Sequence, residues 1–368
     1  MSAPAPRPGI LDISPYVGGE AHAPGVDRLI RLASNEGALG PSPRAMEAYR
    51  QAAAELHRYP DGGSTALRDG LARLYGLDVS RIVCGTGSDE LLGLLTRAYA
   101  GPGDEVLYSA HGFLMYPISA KSVGATPVAA PEKGLKADVD ALLAHVTERT
   151  KILFIANPNN PTGSFLTSDE MRRLHAGLPG HVVLVIDAAY AEYVDRPDYT
   201  AGSELVEEFG NVVMTRTFSK IYALGGLRLG WAYCPPAIAD VLNRVRGPFN
   251  VNSAAQIAGV AAVEDTAFIE ESRRHNEIWR DWLSARLTEL GLEVHPSIAN
   301  FVLVSFANRS SDGNQAAEAA RQFLKARGIL VRQMGGYGLP HCLRMSIGTE
   351  EEMRAVVDAV AAFLKGEA

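Results

Sequence analysis

Short, fully apolar runs alternate along this chain with longer amphipathic stretches. "SRIVCG" (80–85), "DEVLYS" (104–109), "KILFIAN" (151–157), "HVVLVIDAAY" (181–190) and "NVVMTRT" (211–217) predict strands. Between them, "DELLGLLTRAYA" (89–100), "SAKSVGA" (119–125) and "TSDEMRRLHAGL" (167–178) predict helices, the last opened by a Ser/Thr–Asp–Glu cap. Strands that are apolar throughout, alternating with helices, imply an α/β fold with a mostly parallel sheet covered on both faces. From about residue 254 the texture changes. A long helical tract (268–291) leads into "NFVLVSF" (300–306), a helix (314–328), "ILVRQM", "HCLRMSIG" and a closing helix (350–365). This predicts a second, smaller α+β unit. Residues 1–25 are rich in Pro and Gly and lack a period, which reads as an extended arm. The expected division is therefore an arm at 1–25, a large unit at 51–251, and a small unit built from 26–50 and 252–368.

Composition narrows the function. The 368 residues are 47% apolar and 21% charged, ordinary for a globular chain with a substantial core. A net charge of −7 disfavours a nucleic-acid partner, which wants a basic surface. Three scattered cysteines do not make a disulfide framework, so a reducing cytoplasm is the expected home. No apolar run approaches the roughly 18 residues of a membrane span, and the N-terminus lacks a signal-peptide core.

Open parallel sheets bind ligands at the carboxyl ends of their strands, and several chemical groups fall there. "CGTGSDE" puts glycines at a strand end and Ser88, Asp89 and Glu90 at the first turn of a helix, whose backbone amides attract phosphate. The two carboxylates would repel that phosphate, so they are expected to turn aside. "NPNNPTG" (157–163) is a rigid turn that offers Asn amides. Asp187 ends the most apolar strand, where a carboxylate needs a positive or protonated partner. Tyr190 lies three residues on. Lys220 follows the strand 211–217; if desolvated, its amine becomes a nucleophile able to form a Schiff base. Thr217, Ser219 and Arg228 around it suit a phosphate, and Gly225-Gly226 is expected to turn the backbone so that Arg228 returns. Each feature alone has an ordinary reading as a turn, a cap or a surface lysine. Together they match one ligand with a phosphate, a ring nitrogen, a phenolic oxygen and an aldehyde: pyridoxal 5′-phosphate. The chain contains no P-loop, G-x-G-x-x-G, C-x-x-C, metal-spaced histidine pair or G-x-S-x-G elbow.

"NPNNPTG", "DAAY" (187–190) and "TFSKIYALGGLRLGW" together resemble the fold-type I pyridoxal-phosphate aminotransferases of class I/II, over nearly the whole chain. "ISPYVGG" (13–19), "LASNEGALGPSP" (32–43), "RYPDGGSTALRDGLA" (58–72) and "GGYGLPHCLRMSIGT" (335–349) resemble the subfamily that acts on histidinol phosphate. The resemblance implies Lys220 as the amine that bonds the cofactor, Asp187 on the ring nitrogen, and Asn160 and Tyr190 on the phenolic oxygen. It implies Phe113 stacked on the ring. Arg228, Ser219, Thr217 and the amides of Ser88, Asp89 and Glu90 would hold the phosphate. Tyr59 would reach the cofactor of a neighbouring subunit, making a homodimer with shared sites. Arg344 would bind a substrate carboxylate, and Arg332 and Tyr16 a substrate phosphate. Asn35 and Gly37 belong to a loop expected at the substrate entrance, where the family commonly reads Asn-Glu-Asn-Pro and this chain has Asn35-Glu36-Gly37-Ala38. The implied activity is ping-pong transfer between glutamate/2-oxoglutarate and histidinol phosphate. Three alternatives stand beside it: an aromatic or broad-range aminotransferase, a decarboxylase or C–S lyase on the same cofactor, and a non-catalytic binding protein.

Overall fold

In the computed structural model, residues 4–23, 25, 28–309 and 313–366 are described. Residues 1–3 and 24 of the expected arm, 26–27, 310–312 and 367–368 of the expected small unit lie outside them.

The apolar runs form a seven-stranded sheet in the order Ile82–Gly85, Gly230–Tyr233, Val212–Thr217, Val183–Asp187, Thr150–Ala156, Glu105–Ser109, Thr126–Ala130. Only Gly230–Tyr233 runs antiparallel to its neighbours. Because side chains alternate along a strand, each apolar run feeds two cores. Leu153, Ile155, Leu184, Ile186, Val212 and Met214 pack on one face. Ile152, Phe154, Val183, Val185 and Val213 pack on the other. Helices cover both faces, as fully apolar strands require. Ser168–Ala176 is one of them, and its capping box joins Thr167 and Glu170 reciprocally.

A five-stranded sheet follows the order Ile30–Leu32, Ile329–Met334, Leu339–Ser346, Phe301–Ser305, Glu293–His295. Its first pair is parallel and the rest antiparallel. A 24-residue helix, Thr266–Glu289, leads into it. Its register sets Arg332 directly opposite Arg344.

Several local expectations change. The strand at 181–190 stops at Asp187, and Ala188–Tyr190 turn into a 3-10 helix at Ala191–Tyr193. That bend lets Asp187 and Tyr190 serve one site. The helix expected at 119–125 is Met115–Val123, closed by Gly124 in the left-handed region. The sequence pattern did not reveal the strand Gly230–Tyr233. It lies inside the glycine-rich stretch, shortly after the 3-10 turn Gly225–Leu227. That turn also corrects the role given to Gly225-Gly226. Neither glycine has positive φ; the left-handed residues are Ala223 (φ 52°) and Arg228 (φ 54°). The return of Arg228 is thus held by a non-glycine residue in a sparsely populated conformation.

Candidate active site

The carboxyl ends of the central strands, together with Arg332 and Arg344 on the strands Ile329–Met334 and Leu339–Ser346, line a cavity of about 270 Å³. Its wall includes Tyr16, Asn35, Ser88, Asp89, Phe113, Asn160, Asp187, Tyr190, Thr217, Ser219, Lys220, Arg228, Arg332 and Arg344.

Asp187 sits at the base, only 5% exposed. Its carboxylate accepts hydrogen bonds from Tyr116 Oη at 3.0 Å and Thr215 Oγ1 at 3.3 Å. Burial nevertheless pushes its pKa up to about 6, with the nearby Asp89 carboxylate adding to the rise. A cationic or protonated partner in the cavity would relieve that cost. Strand register explains the placement: Asp187 pairs with Thr215 on one side and Ala156 on the other.

Lys220 lies in the loop after strand Val212–Thr217. Its ammonium donates to the Ser34 carbonyl at 3.2 Å and stands 5.7 Å from the centre of the Tyr190 ring. Burial, reinforced by the Arg344 guanidinium, lowers its pKa to about 8. A larger fraction of the amine is therefore unprotonated near neutrality than for an ordinary lysine. Tyr190 Oη accepts from Asn35 Nδ2 at 2.9 Å, and burial raises its phenol well above the usual range.

The helix Ser88–Tyr99 aims its N-terminus at the same space. No side chain caps it, so its first amides are free for an anion. Close packing shapes this corner. A Cβ on Gly87 would lie 2.6 Å from Arg228 Nη2, and one on Gly230 would lie 2.3 Å from the Ser88 nitrogen. Arg228 donates to Ser219 Oγ at 3.3 Å and to the Gly225 carbonyl at 3.1 Å. Its other nitrogen donates to Asp89 Oδ2 at 3.3 Å. The expectation that both carboxylates turn aside thus holds for Glu90 alone. Glu90 leaves the cavity to accept from the Thr86 amide at 2.5 Å and Asn250 Nδ2 at 2.8 Å. Asp89 faces the cavity, because Arg228 offers it a charge partner there.

On the opposite wall Arg344 is 4% exposed. It donates to the Ala33 carbonyl at 2.9 Å and to Asn160 Oδ1. Arg344 can only donate, so Asn160 turns its oxygen toward it and keeps its NH₂ for a ligand. Arg344 Nε is buried without a hydrogen-bond partner. Arg332 donates to the Val17 carbonyl at 2.7 Å and lies over the Tyr16 ring at 5.7 Å. Like charges directly opposite on a sheet repel. Two arginines in that relation, both on the cavity wall, make a place for an anion.

Besides the Glu90 side chain, two expected residues are not brought in. Gly37 packs against Ala223 and the Lys220 carbonyl, where its missing Cβ would lie 2.9 Å from Ala223 Cβ. It lines a separate small pocket, so the loop it belongs to supports the lysine loop from behind rather than bordering the cavity at that position. Tyr59 is 84% exposed and stacks on Phe249 at 4.8 Å, away from the cavity of its own chain. Sequence reasoning missed Tyr116 and Thr215, the two hydroxyls on Asp187. Tyr116 stands three residues after Phe113 at a helix start, and Thr215 two before Thr217 on the same strand face. Both periodicities were available signals.

The family model described as Aminotransferase class I and II matches residues 27–360. The chain belongs to the class I and II aminotransferase family. Among similar members of this aminotransferase family, the histidinol-phosphate aminotransferase of Rhodospirillum centenum is 66% identical over 366 residues, covering 100% of both chains. That of Paramagnetospirillum magneticum is 64% identical, covering 99% of each. The solved histidinol-phosphate aminotransferase of Sinorhizobium meliloti, in complex with pyridoxal-5′-phosphate, is 29% identical with a TM-score of 0.91, over 99% of each chain. The cavity fits such a group on its own evidence. It has a buried carboxylate lacking a cation, a lysine with a lowered pKa, and uncapped helix amides beside an arginine.

Proposed function

We propose that this aminotransferase is pyridoxal-phosphate dependent and moves an amino group between histidinol phosphate and 2-oxoglutarate, as a step of histidine biosynthesis. The observation that carries the reading is Lys220 and Asp187 in one cavity, an amine lowered to about 8 facing a buried acid raised to about 6. The names borne by relatives at 53–66% identity favour histidinol phosphate over aromatic substrates, decarboxylation or C–S cleavage.

Bound pyridoxal phosphate supplies an aldehyde that captures amines and a ring that withdraws electrons from the substrate Cα. Asp187 would keep the ring nitrogen protonated. Asn160 and Tyr190 would donate to the phenolic oxygen, and Phe113 would cover the ring. The amides of Ser88 to Glu90, Thr217, Ser219 and Arg228 hold the phosphate. A bound phosphate would compete with Asp89 for Arg228, which donates to that carboxylate in this structure. Lys220 Nζ would be the amine that bonds the aldehyde and, when freed, the base placed to take the proton from the substrate Cα. Arg344 holds the glutamate carboxylate in one half-reaction and, with Arg332 and Tyr16, the histidinol phosphate anion in the other.

We place the enzyme in the cytoplasm, a reading supported by three buried free cysteines and by the absence of a membrane-length apolar helix among the described residues. We also assign it a homodimer in which Tyr59 reaches the partner's phosphate; an aromatic exposed this far, paired with a half-exposed Phe249, supports the assignment. Glutamate alone, mixed with the cofactor-loaded enzyme, tests the chemistry. The expected result is one 2-oxoglutarate released per site and the amine retained until imidazole-acetol phosphate is added. Continuous release of CO₂ or ammonia instead would remove the transaminase reading.

A further inference from the structure

A two-stranded hairpin, Glu132–Lys133 paired with Lys136–Ala137, stands outside both main sheets and has no part in the chemistry above. It starts with a buried carboxylate. Glu132 has 2% of its side chain exposed and accepts three hydrogen bonds, all from one loop: Ser109 Oγ, the His111 amide at 3.0 Å, and His111 Nδ1 at 2.8 Å. That loop leaves the strand Glu105–Ser109 and carries Phe113 two residues later. The His111 carbonyl accepts from Asn159 Nδ2 at 3.2 Å. Asn159 also donates to Thr162 Oγ1 at 2.9 Å, and Thr162 joins Ser164 Oγ at 2.8 Å. Ser164 Oγ returns to the hairpin tip, donating to the Leu135 carbonyl at 2.9 Å. Leu135 then packs, with Leu114, on a cluster of the five-stranded sheet.

The bonds close into a ring. It begins at one end of the hairpin, crosses the loop bearing Phe113 and the turn bearing Asn160, and ends at the hairpin tip. We propose that the hairpin is a clasp that sets the spacing between Phe113 and Asn160, and that Glu132 is a positioning residue for the cofactor ring. The proposal rests on the pyridoxal-phosphate reading, since Phe113 and Asn160 matter only if a ring lies between them. An acceptor of three donors cannot be removed without orphaning them, because buried donors left unpaired drive the loop to rearrange. Misplacement of a reacting group by about 1 Å costs on the order of a hundredfold. A partial loosening of the clasp is expected to cost about tenfold.

The test uses the full-length protein stripped of cofactor, in wild type, Glu132→Leu, Ser109→Ala, His111→Gln and His111→Leu. Pyridoxal phosphate is titrated back, and its affinity, the circular dichroism of its visible band, kcat and KM for glutamate are read below the melting temperature. Glu132→Leu, which leaves all three donors unpaired, is expected to weaken cofactor affinity and lower kcat by about tenfold each, to change the visible dichroism, and to leave KM for glutamate within about twofold. His111→Gln, which can still donate to Glu132, should keep near wild-type dichroism, and His111→Leu should lose it. Soluble variants that melt earlier yet keep wild-type affinity, dichroism and kcat would overturn the clasp and make Glu132 a stability residue only. If Glu132→Leu does not fold, the two His111 variants and Ser109→Ala decide by the same readouts, and equality of His111→Leu with wild type overturns the proposal. Failure of wild type itself to bind pyridoxal phosphate would remove the cofactor reading instead, so the two outcomes are distinct.

Discussion

Replacing Asp187 by Asn tests the electrostatic core of the site without altering its shape. In the cofactor-free protein the carboxyl pKa rises from 3.8 to about 6 through burial. The folded state therefore binds this proton more tightly than the unfolded chain. The associated stability is fully present below pH 3.8 and is lost as pH rises through 6. At about 1.4 kcal/mol per pKa unit, the folded protein loses about 3 kcal/mol across that window. The amide of Asp187→Asn does not titrate. The stability difference, variant minus wild type, should thus grow in favour of the variant by about 2.4 kcal/mol between about pH 4 and about pH 7.5, because the unfolded carboxyl is already partly ionised at pH 4. Urea unfolding of both apo proteins at four or five pH values measures this double difference and cancels every other titrating group. Added pyridoxal phosphate should reverse the order near neutral pH, because a protonated ring nitrogen pairs with Asp187 and finds no such partner in the variant. A pH-independent difference, or equal stabilisation of both proteins by the cofactor, would refute the reasoning.

The other expectations concern the lysine and the two anion sites. Lys220→Ala should bind pyridoxal phosphate without developing the visible absorbance of wild type and lose at least about 10⁴-fold in kcat, read by spectrum and turnover. The rate at which apo wild type captures the cofactor aldehyde should rise with pH through a midpoint near 8, since the unprotonated amine reacts; a midpoint near 10.5 would contradict the lowered pKa. Arg344→Ala should weaken both half-reactions, by about 2–3 kcal/mol each for a lost charge-assisted bond; single-turnover spectra with glutamate and with histidinol phosphate separate them, and an effect on glutamate alone sinks the dual role. Arg228→Ala should lower cofactor affinity about tenfold or more, measured by equilibrium dialysis.

Sequence pattern and structure agree best where chemistry sits at a strand end. Lys220, Asp187, Asn160 and Arg228 are polar groups at or soon after the ends of apolar strands, and the parallel-sheet rule brings those ends together. The sheet itself was readable from runs such as "HVVLVID", because apolar residues on both faces need helices on both faces. What sequence did not yield depends on contacts distant in the chain. Asp89 faces the cavity only because Arg228, 139 residues away, returns to it. Gly37 lies behind the lysine loop because Ala223 leaves it no room for a side chain. The strand Gly230–Tyr233 is short, and its four residues are buried by neighbours that the local pattern does not announce. Glu132 carried no signal at all: a lone glutamate before a Lys-Gly pair reads as a surface turn until Ser109 and His111 are seen around it.

The central claim is amino transfer between histidinol phosphate and 2-oxoglutarate at the Lys220 cavity. Its most direct test is a turnover panel with 2-oxoglutarate as acceptor, comparing histidinol phosphate, phenylalanine, tyrosine and threonine phosphate. The account predicts the highest kcat/KM for histidinol phosphate, one glutamate formed per donor consumed, and no turnover in Lys220→Ala. A higher kcat/KM for an aromatic amino acid, or product formed from the donor without glutamate, would contradict it.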